Sequence, residues 1–363
     1  MSRRVVDAAL SRRSLIKWSM IVPAAAALPI QLRGAAAKDI VATMVTDTNG
    51  LGDQNFNDLA NKGGQQAAKD FGITWKVIES SDAASYLPNL QAGAEQGDLT
   101  VATGFLLADA MKAVAAQYPD KSFLHIDNDS QGLSNIRGIL FKENEPAFLV
   151  GLVAGKMTKS NVIGIVGGQR IPPVIRYEVG FRAGVMTTNP KADIKVTYAD
   201  TFSDPTTGKK IANDQISLGS DILFPIAGAT GSGAYAAAKE KGASVWMISA
   251  DTSQNQLDPG QELCVAQKGV DTEVYEGIKL MTEGKFKGGT FTLGLKEGAV
   301  SIQDPNKKVP ADVMAIVDAF KQQIISGALV APVDDDTFKA FKAPAIPANL
   351  GTPVATPEGT PAA

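Results

Sequence analysis

Residues 162–198 read V-I-G-I-V-G-G-Q-R-I-P-P-V-I-R-Y-E-V-G-F-R-A-G-V-M-T-T-N-P-K-A-D-I-K-V-T-Y. The run Val162–Val166 is almost continuously apolar, as a strand covered on both faces must be. A helical pattern follows over Pro173–Thr188, and a second short strand pattern over Ile194–Tyr198. Strand, helix and strand at this spacing predict a parallel sheet with helices on both faces.

The same alternation extends outward in both directions. Strand patterns occur upstream at Ile40–Val45, Trp75–Glu79, Thr100–Thr103 and Phe123–Ile126, and downstream at Ile222–Ile226, Val245–Ile248 and Leu263–Ala266. Helical patterns cover Gln54–Phe71, Leu107–Gln117, Pro146–Thr158, Gly231–Lys241, Thr272–Thr282 and Pro310–Ile325. The pattern restarts near Phe141, which divides it into two α/β lobes, each with a doubly wound parallel sheet. The expected division is a first lobe over 38–142 with a return segment at about 252–290, and a second over 143–251 with a return segment at 291–332. Residues 333–363 read as a tail rich in Pro, Ala and Thr, with few apolar anchors. Ligands of such sheets sit beyond the carboxyl ends of the strands, so a cleft between the lobes is the expected site.

Residues 1–37 carry three signals in order. Ser11-Arg12-Arg13-Ser14-Leu15-Ile16-Lys17 is basic, Trp18–Ile30 is apolar, and Gly34-Ala35-Ala36-Ala37 is a small-residue run. Together they read as a secretory signal peptide, and the paired arginines point to the twin-arginine route. The apolar part is about a dozen residues, short of the ~18 a spanning helix needs. The single cysteine, Cys264, is far from the cleavage site, so no lipid attachment is expected there. The expected product is a periplasmic or otherwise extracytoplasmic protein, without a transmembrane segment in its mature chain and monomeric.

Composition narrows the function. Removing the signal leaves roughly 325 residues, enough for two cores. A net charge of −3 gives no electrostatic reason to expect nucleic acid as a partner. One His and one Cys rule out most zinc sites and any chemistry needing two histidines. That His, His125, alternates within Ser122–Asp127 as an ordinary strand residue does. No G-x-S-x-G elbow and no standout pair of acids is present, so neither a metal, a cofactor nor a catalytic residue is expected. A secreted α/β enzyme is the less favoured alternative.

Candidate binding residues lie at predicted strand ends. Asp47 ends the first strand and opens Thr48-Asn49-Gly50-Leu51-Gly52-Asp53-Gln54-Asn55-Phe56-Asn57. Its glycines allow a tight loop, Asp53 is suited to cap the next helix, and Phe56 can project from the first helical turn. Gly228-Ala229-Thr230-Gly231-Ser232-Gly233 follows the strand that holds Phe224. It lacks the Lys-Ser/Thr of a phosphate loop and reads instead as a tight turn letting backbone approach a ligand. Asp251 and Lys268 follow two further strands, offering a carboxylate and an ammonium to one cleft.

These blocks, in this order, resemble the basic membrane protein (PnrA-like) family of substrate-binding proteins, which includes the purine nucleoside receptors of bacterial ABC transporters. Asp47 through Phe56-Asn57 is similar to the family's D-x-G-G-x-x-D-x-S-F-N, with Asn49 and Asn55 standing for a Gly and the Ser. Gly104–Asp109, Phe123–Asp127, Phe141–Glu145, Gly164–Gly168 and Gly180–Gly184 continue the match, which runs from about Ile40 to Val300. Phe224–Gly233 is similar to A-G-G-T-G-x-G with Ala229 for a Gly, and Ser249–Gln254 to G-x-D-x-D-Q with Ser253 for the second acid. The resemblance implies a type I periplasmic-binding-protein fold, two lobes joined by a three-segment hinge. It also implies a purine nucleoside ligand passed to an ABC permease. By position, Asp47, Phe56, Asn57 and Asp109 would serve it from the first lobe, Phe224 and Gly228 from the second, and Asp251 and Lys268 would grip the ribose. The departures at Ser253 and Ala229 leave another heterocycle or a sugar as the alternative ligand.

The export reading has a direct test. Replacing Arg12 and Arg13 with Lys is expected to leave the precursor uncleaved, whereas the unaltered chain matures with Lys38 at its N-terminus. Immunoblots of cell fractions and N-terminal sequencing check both, and normal maturation of the double variant would favour the general secretory route.

Overall fold

The computed structural model describes residues 40–258 and 260–347, so the export segment lies outside the described residues. The chain opens with β1 (Val41–Val45), α1 (Phe56–Phe71), β2 (Thr74–Ile78), α2 (Tyr86–Gln96), β3 (Leu99–Thr103), α3 (Ala108–Gln117), β4 (Ser122–Ile126) and β5 (Ile136–Phe141). It crosses over and continues with α4 (Asn144–Met157), β6 (Val162–Gly167), α5 (Pro172–Thr188), β7 (Asp193–Tyr198), α6 (Pro205–Ser217), β8 (Ile222–Ile226), α7 (Ala229–Lys241), β9 (Trp246–Asp251) and β10 (Glu262–Lys268). Then come α8 (Val270–Thr282) and β11 (Gly289–Leu293), followed by β12 (Val300–Gln303), α9 (Ala311–Ser326) and α10 (Asp335–Ala340).

Two six-stranded sheets result, ordered β2-β1-β3-β4-β5-β11 and β7-β6-β8-β9-β10-β12. Every pairing is parallel except that of β12, which runs antiparallel to β10. The two orders correspond strand for strand, so this is a type I periplasmic-binding fold of two doubly wound lobes. Central strands β3 and β8 are buried at every position, as their apolar runs require. In β8, the pairing with β9 ends at Leu223 opposite Met247, and Pro225 two residues on has no N–H to extend it. His125 is a core residue of β4, and burial pushes its imidazole down to about 4. Cys264 is fully buried in β10, and burial pushes its thiol well up.

The chain passes between lobes three times, at Phe141–Asn144, Lys268–Val270 and Leu293–Val300. The crossings hold one another. Lys142 N–H donates to Leu293 O (2.8 Å), Leu295 N–H to the Glu145 carboxylate (2.7 Å) and Gly269 N–H to Ala299 O (2.8 Å).

This connectivity corrects the expected return segments. β10 pairs in parallel with β9, so 262–268 belongs to the second lobe and the chain leaves it only at Gly269. The tail also starts later than 333. Asp334 caps α10 through a reciprocal box with Thr337; Arg170 pairs with Asp335 (2.6 Å), Arg182 lies over the Phe338 ring (4.2 Å), and Phe341 meets Phe148 edge-on. These anchors fasten 334–341 to the second lobe. Helices α2 and α6 had no clear periodic signal, since α2 holds Pro88 in its first turn and α6 is mostly polar with Gly208 inside. Among the described residues no helix is long and apolar enough to cross a membrane.

Helix α4 is buried from Asn144 to Gly155, packed between α5, α9 and the strands β10 and β12. Its approach to α5 depends on glycines. A Cβ at Gly184 would lie 2.1 Å from Phe148 O, and one at Gly151 2.3 Å from Phe181 O. Backbone cannot yield as a flexible side chain can, so Gly184→Ala is expected to destabilise the fold by about 1–3 kcal/mol. Urea unfolding followed by circular dichroism reads this, and an unchanged midpoint would show that the helices can separate freely.

Candidate functional site

The carboxyl ends of strands from both sheets converge on one cavity of about 580 Å³, part of it open to solvent. From the first lobe come Asp47 after β1, Asn49, Asn55 and Phe56 of the next loop and turn, Gly104 to Leu106 after β3, and Asp127 after β4. From the second come Ile171, Pro173, Val174 and Tyr177 around the start of α5, Phe202 after β7, Ile226 to Gly228 of β8 and its turn, Ala250 and Asp251 of β9, and Lys268 of β10.

Each side chain is aimed by identifiable neighbours. Asp47 accepts from Asn57 Nδ2 (2.8 Å) and from Asn49 N–H (3.0 Å), and burial pushes its carboxyl up. Asn57 is fully buried behind it and accepts in turn from Thr103 Oγ1 (2.9 Å). Asp53 collects the N–H groups of Asn55, Asn57 and Asp58 and the side-chain amide of Asn49 (3.0 Å). It therefore serves the exposed donors of the α1 N-terminus from two residues before Asn55, the residue at the cap position. Gly104 adopts a positive φ of +106°, which favours glycine, beside the Phe56 ring. Gly168 lets the Phe202 ring lie close, since a Cβ there would meet it at 2.3 Å. Gly228 (φ +53°) meets Asn49 across the cleft, where a Cβ would come within 2.8 Å of Nδ2.

At the hinge end of the cavity sits a buried ionic cluster. Lys268, 2% exposed, donates to both oxygens of Asp127 (2.8 and 3.0 Å) and lies 3.4 Å from Glu143 and 3.7 Å from Asp251. Glu143 also accepts from Arg176 Nε (2.5 Å), and Tyr177 OH donates to Asp251 Oδ1 (2.8 Å). Burial opposes the Lys268 charge, but Asp127, Asp251 and Glu143 together carry the ammonium above its ordinary range. Burial likewise pushes Asp127 up to about 6, with Lys268 opposing and Glu143 and Asp251 reinforcing it. The Lys268 ammonium stands 4.9 Å from the Phe56 ring centroid. Among the described residues no group of three His, Cys, Asp or Glu side chains is placed to hold a metal ion.

Of the residues singled out from sequence, the structure brings Asp47, Phe56, Gly228, Asp251 and Lys268 to the cavity wall. Asn57 stands behind the wall as the partner of Asp47. Asp109 is exposed in the first turn of α3 and does not line the cavity. Phe224 does not line it either: it sits two residues short of the end of β8, enclosed by Phe181 (ring centroids 4.7 Å) and Tyr177 (6.0 Å). The second-lobe aromatics at the wall are Phe202 and Tyr177. Neither departure weighed from sequence lines the cavity: Ala229 opens α7, and Ser253 donates to the buried Glu262 (2.6 Å). Asp127 had a readable signal, lying one residue past β4 as Asp47 lies two past β1. Like Asp251, it adopts a left-handed backbone (φ +67° and +64°). Tyr177 and Phe202 carried none, because a helix face and a loop give no motif.

Two α/β lobes, three mutually bonded crossings and a cleft lined from the strand ends of both are the architecture of the type I periplasmic-binding class. The chain belongs to the PnrA-like family of ABC transporter substrate-binding proteins, whose profile matches residues 40–335. The CD4+ T-cell-stimulating antigen of Listeria monocytogenes is 34% identical over 318 residues, 82% of this chain and 89% of that protein. The ABC transporter nucleoside-binding protein BmpA of Lactococcus lactis is 32% identical over 320 residues, 82% and 91% respectively. A crystal structure of an ABC transporter solute-binding protein from Aeropyrum pernix superposes with a TM-score of 0.77 at 31% identity, covering 83% of this chain and 96% of that one. The protein is thus an extracytoplasmic solute receptor serving an ABC permease, and not an enzyme.

The hinge cluster makes stability depend on pH with a definite sign. The folded state holds the Asp127 proton more tightly than the unfolded chain, so this group's contribution is complete below the ordinary value of 3.8 and is lost as pH rises through about 6. Asp127→Asn cannot lose it. Urea midpoints between pH 4 and 7 are expected to fall for the wild type relative to that variant, and a constant difference would place the Asp127 carboxyl at its ordinary value.

Proposed function

We propose that the cleft binds a purine nucleoside and presents it to an ABC permease. The observation that carries this reading is the pairing of one aromatic side chain from each lobe, Phe56 and Phe202, with acidic strand ends in the same cavity. A purine has two π-faces suited to such rings. A ribose diol offers two donors to carboxylates, and Tyr177 engages one oxygen of Asp251 while the other remains for a ligand hydroxyl. The nucleoside-binding name of the L. lactis relative supports the same ligand class. Within this reading Asp47 and Phe56 hold the base from the first lobe, Asp251 and Lys268 hold the sugar, and closure about the three crossings is the signal read by the permease. Delivery outside the cytoplasm proceeds through the twin-arginine signal at 1–37.

The cavity wall also favours a neutral ligand. Asp47, Asp127 and Asp251 face a single ammonium, and that ammonium is already committed to carboxylates. A phosphate would enter an acidic, partly desolvated site with no free cation on its wall among the described residues. Isothermal titration with adenosine, adenine, 2′,3′-dideoxyadenosine and adenosine monophosphate tests the reading. Adenosine is expected to bind tightest, Phe56→Ala to weaken it by about 1–3 kcal/mol, and Asp251→Ala to narrow the gap between adenosine and its dideoxy form. Equal affinities for all four ligands would overturn the ribose assignment, and binding of none would overturn the nucleoside reading.

A further inference from the structure

Two residues of the cavity lining, Asn49 and Asn55, carry buried amide oxygens without hydrogen-bond partners among the described residues. Asn49 donates through Nδ2 to Asp53 (3.0 Å), which fixes the amide and leaves Oδ1 as the free end. That oxygen is buried and has no hydrogen-bond partner among the described residues. Asn55 Oδ1 is likewise buried and unpartnered, on a side chain 4% exposed beside Phe56. Both residues line the cavity. They also occupy the two positions at which this loop departs from the family signature, where Gly and Ser carry no amide.

The loop geometry holds the Asn49 amide and the Asn55 backbone in place. Asp53 is the common anchor, taking the Asn49 side chain and the Asn55 backbone N–H on its two oxygens. Gln54 between them adopts a left-handed backbone (φ +54°), which turns the chain between the two asparagines. Asn49 reaches the Gly228 turn, and the Gly228 Cβ direction also passes 3.4 Å from Phe202 O. The asparagine pair thus belongs to the Phe56 and Phe202 part of the cavity, where the proposed base lies. The carboxylates able to take ribose hydroxyls stand at the ends of β4 and β9.

A buried acceptor left unpaired is costly, and a site containing one discriminates strongly in favour of a ligand that supplies the missing donor. We infer that Asn49 and Asn55 read N–H donors on the edge of the base, so that this protein selects amino-substituted purine nucleosides over the unsubstituted purine nucleoside, whose base edge carries no N–H donor. The inference rests on the nucleoside reading and sharpens it.

The test compares adenosine and 2-aminopurine riboside with unsubstituted purine riboside, which keeps the ring and the sugar and loses only the amino donors. Titration of the mature protein is expected to show at least one amino compound binding on the order of tenfold tighter than purine riboside. Asn49→Ala and Asn55→Ser, each checked for an unchanged circular dichroism spectrum, are expected to shrink that ratio. They should leave the ratio of adenosine to 2′,3′-dideoxyadenosine as it was. Purine riboside binding as tightly as both amino compounds would overturn the inference while the nucleoside reading stood. Loss of the hydroxyl ratio in place of the amino ratio would overturn it too, by making the asparagines readers of the sugar. Failure of every riboside to bind would overturn both readings together.

Discussion

The structure turns on one buried ammonium. Lys268 is the last residue of β10, immediately before the chain leaves the second lobe, and it is held by Asp127 of the first lobe, Glu143 of the first crossing and Asp251 of the second lobe. A charge this deep is tolerable only when paired and hydrogen-bonded, and removing one partner of a buried pair commonly costs several kcal/mol. Its three partners come from three different parts of the chain, so the lobes must meet in one particular way for the cluster to close. Arg176 extends the cluster into α5, the helix that also brings Tyr177 and Val174 to the cavity. Hinge, cleft wall and second-lobe core are thereby tied to the same set of charges.

The correspondence of the two sheets helps explain why the site is shared evenly. Equivalent strands deliver equivalent groups: Asp127 just after β4 and Asp251 at the end of β9 each have a left-handed backbone, and Gly104 and Gly228, within two residues of the ends of β3 and β8, each have positive φ. The aspartates close on Lys268 from the two lobes, and Gly228 leaves room for Asn49. The lobes differ at their first strands, where Asp47 follows β1 and the glycines Gly167 and Gly168 end β6. That difference gives the first lobe its polar loop and the second its packed aromatic.

Much of this was legible in the primary structure because strand ends are legible. Apolar runs locate strands, and a polar residue just past one lies on the ligand-facing edge of a parallel sheet, which is how Asp47, Asp251 and Lys268 stand out. The same rule reaches Asp127. What the rule cannot supply is side-chain direction before the strand ends, and Phe224 shows this: an aromatic two residues upstream is core, not wall. Nor can local pattern tell which sheet a strand joins. β10 joins the second lobe and β11 the first, a choice made by long-range pairing. The anchoring of α10 by Arg170 and Arg182 is equally non-local, since both arginines sit more than a hundred residues upstream.

The burial of Cys264 has a practical side. It is the only cysteine in the chain, it lies wholly inside β10, and its thiol is held far from the reactive thiolate form. A maleimide dye will therefore ignore the native protein. A single cysteine placed on the exposed rim of the cleft would become the sole attachment point, with no need to delete a native thiol first. The receptor is in this sense ready for use as a reagentless optical sensor, reporting its own solute through the environment of one dye.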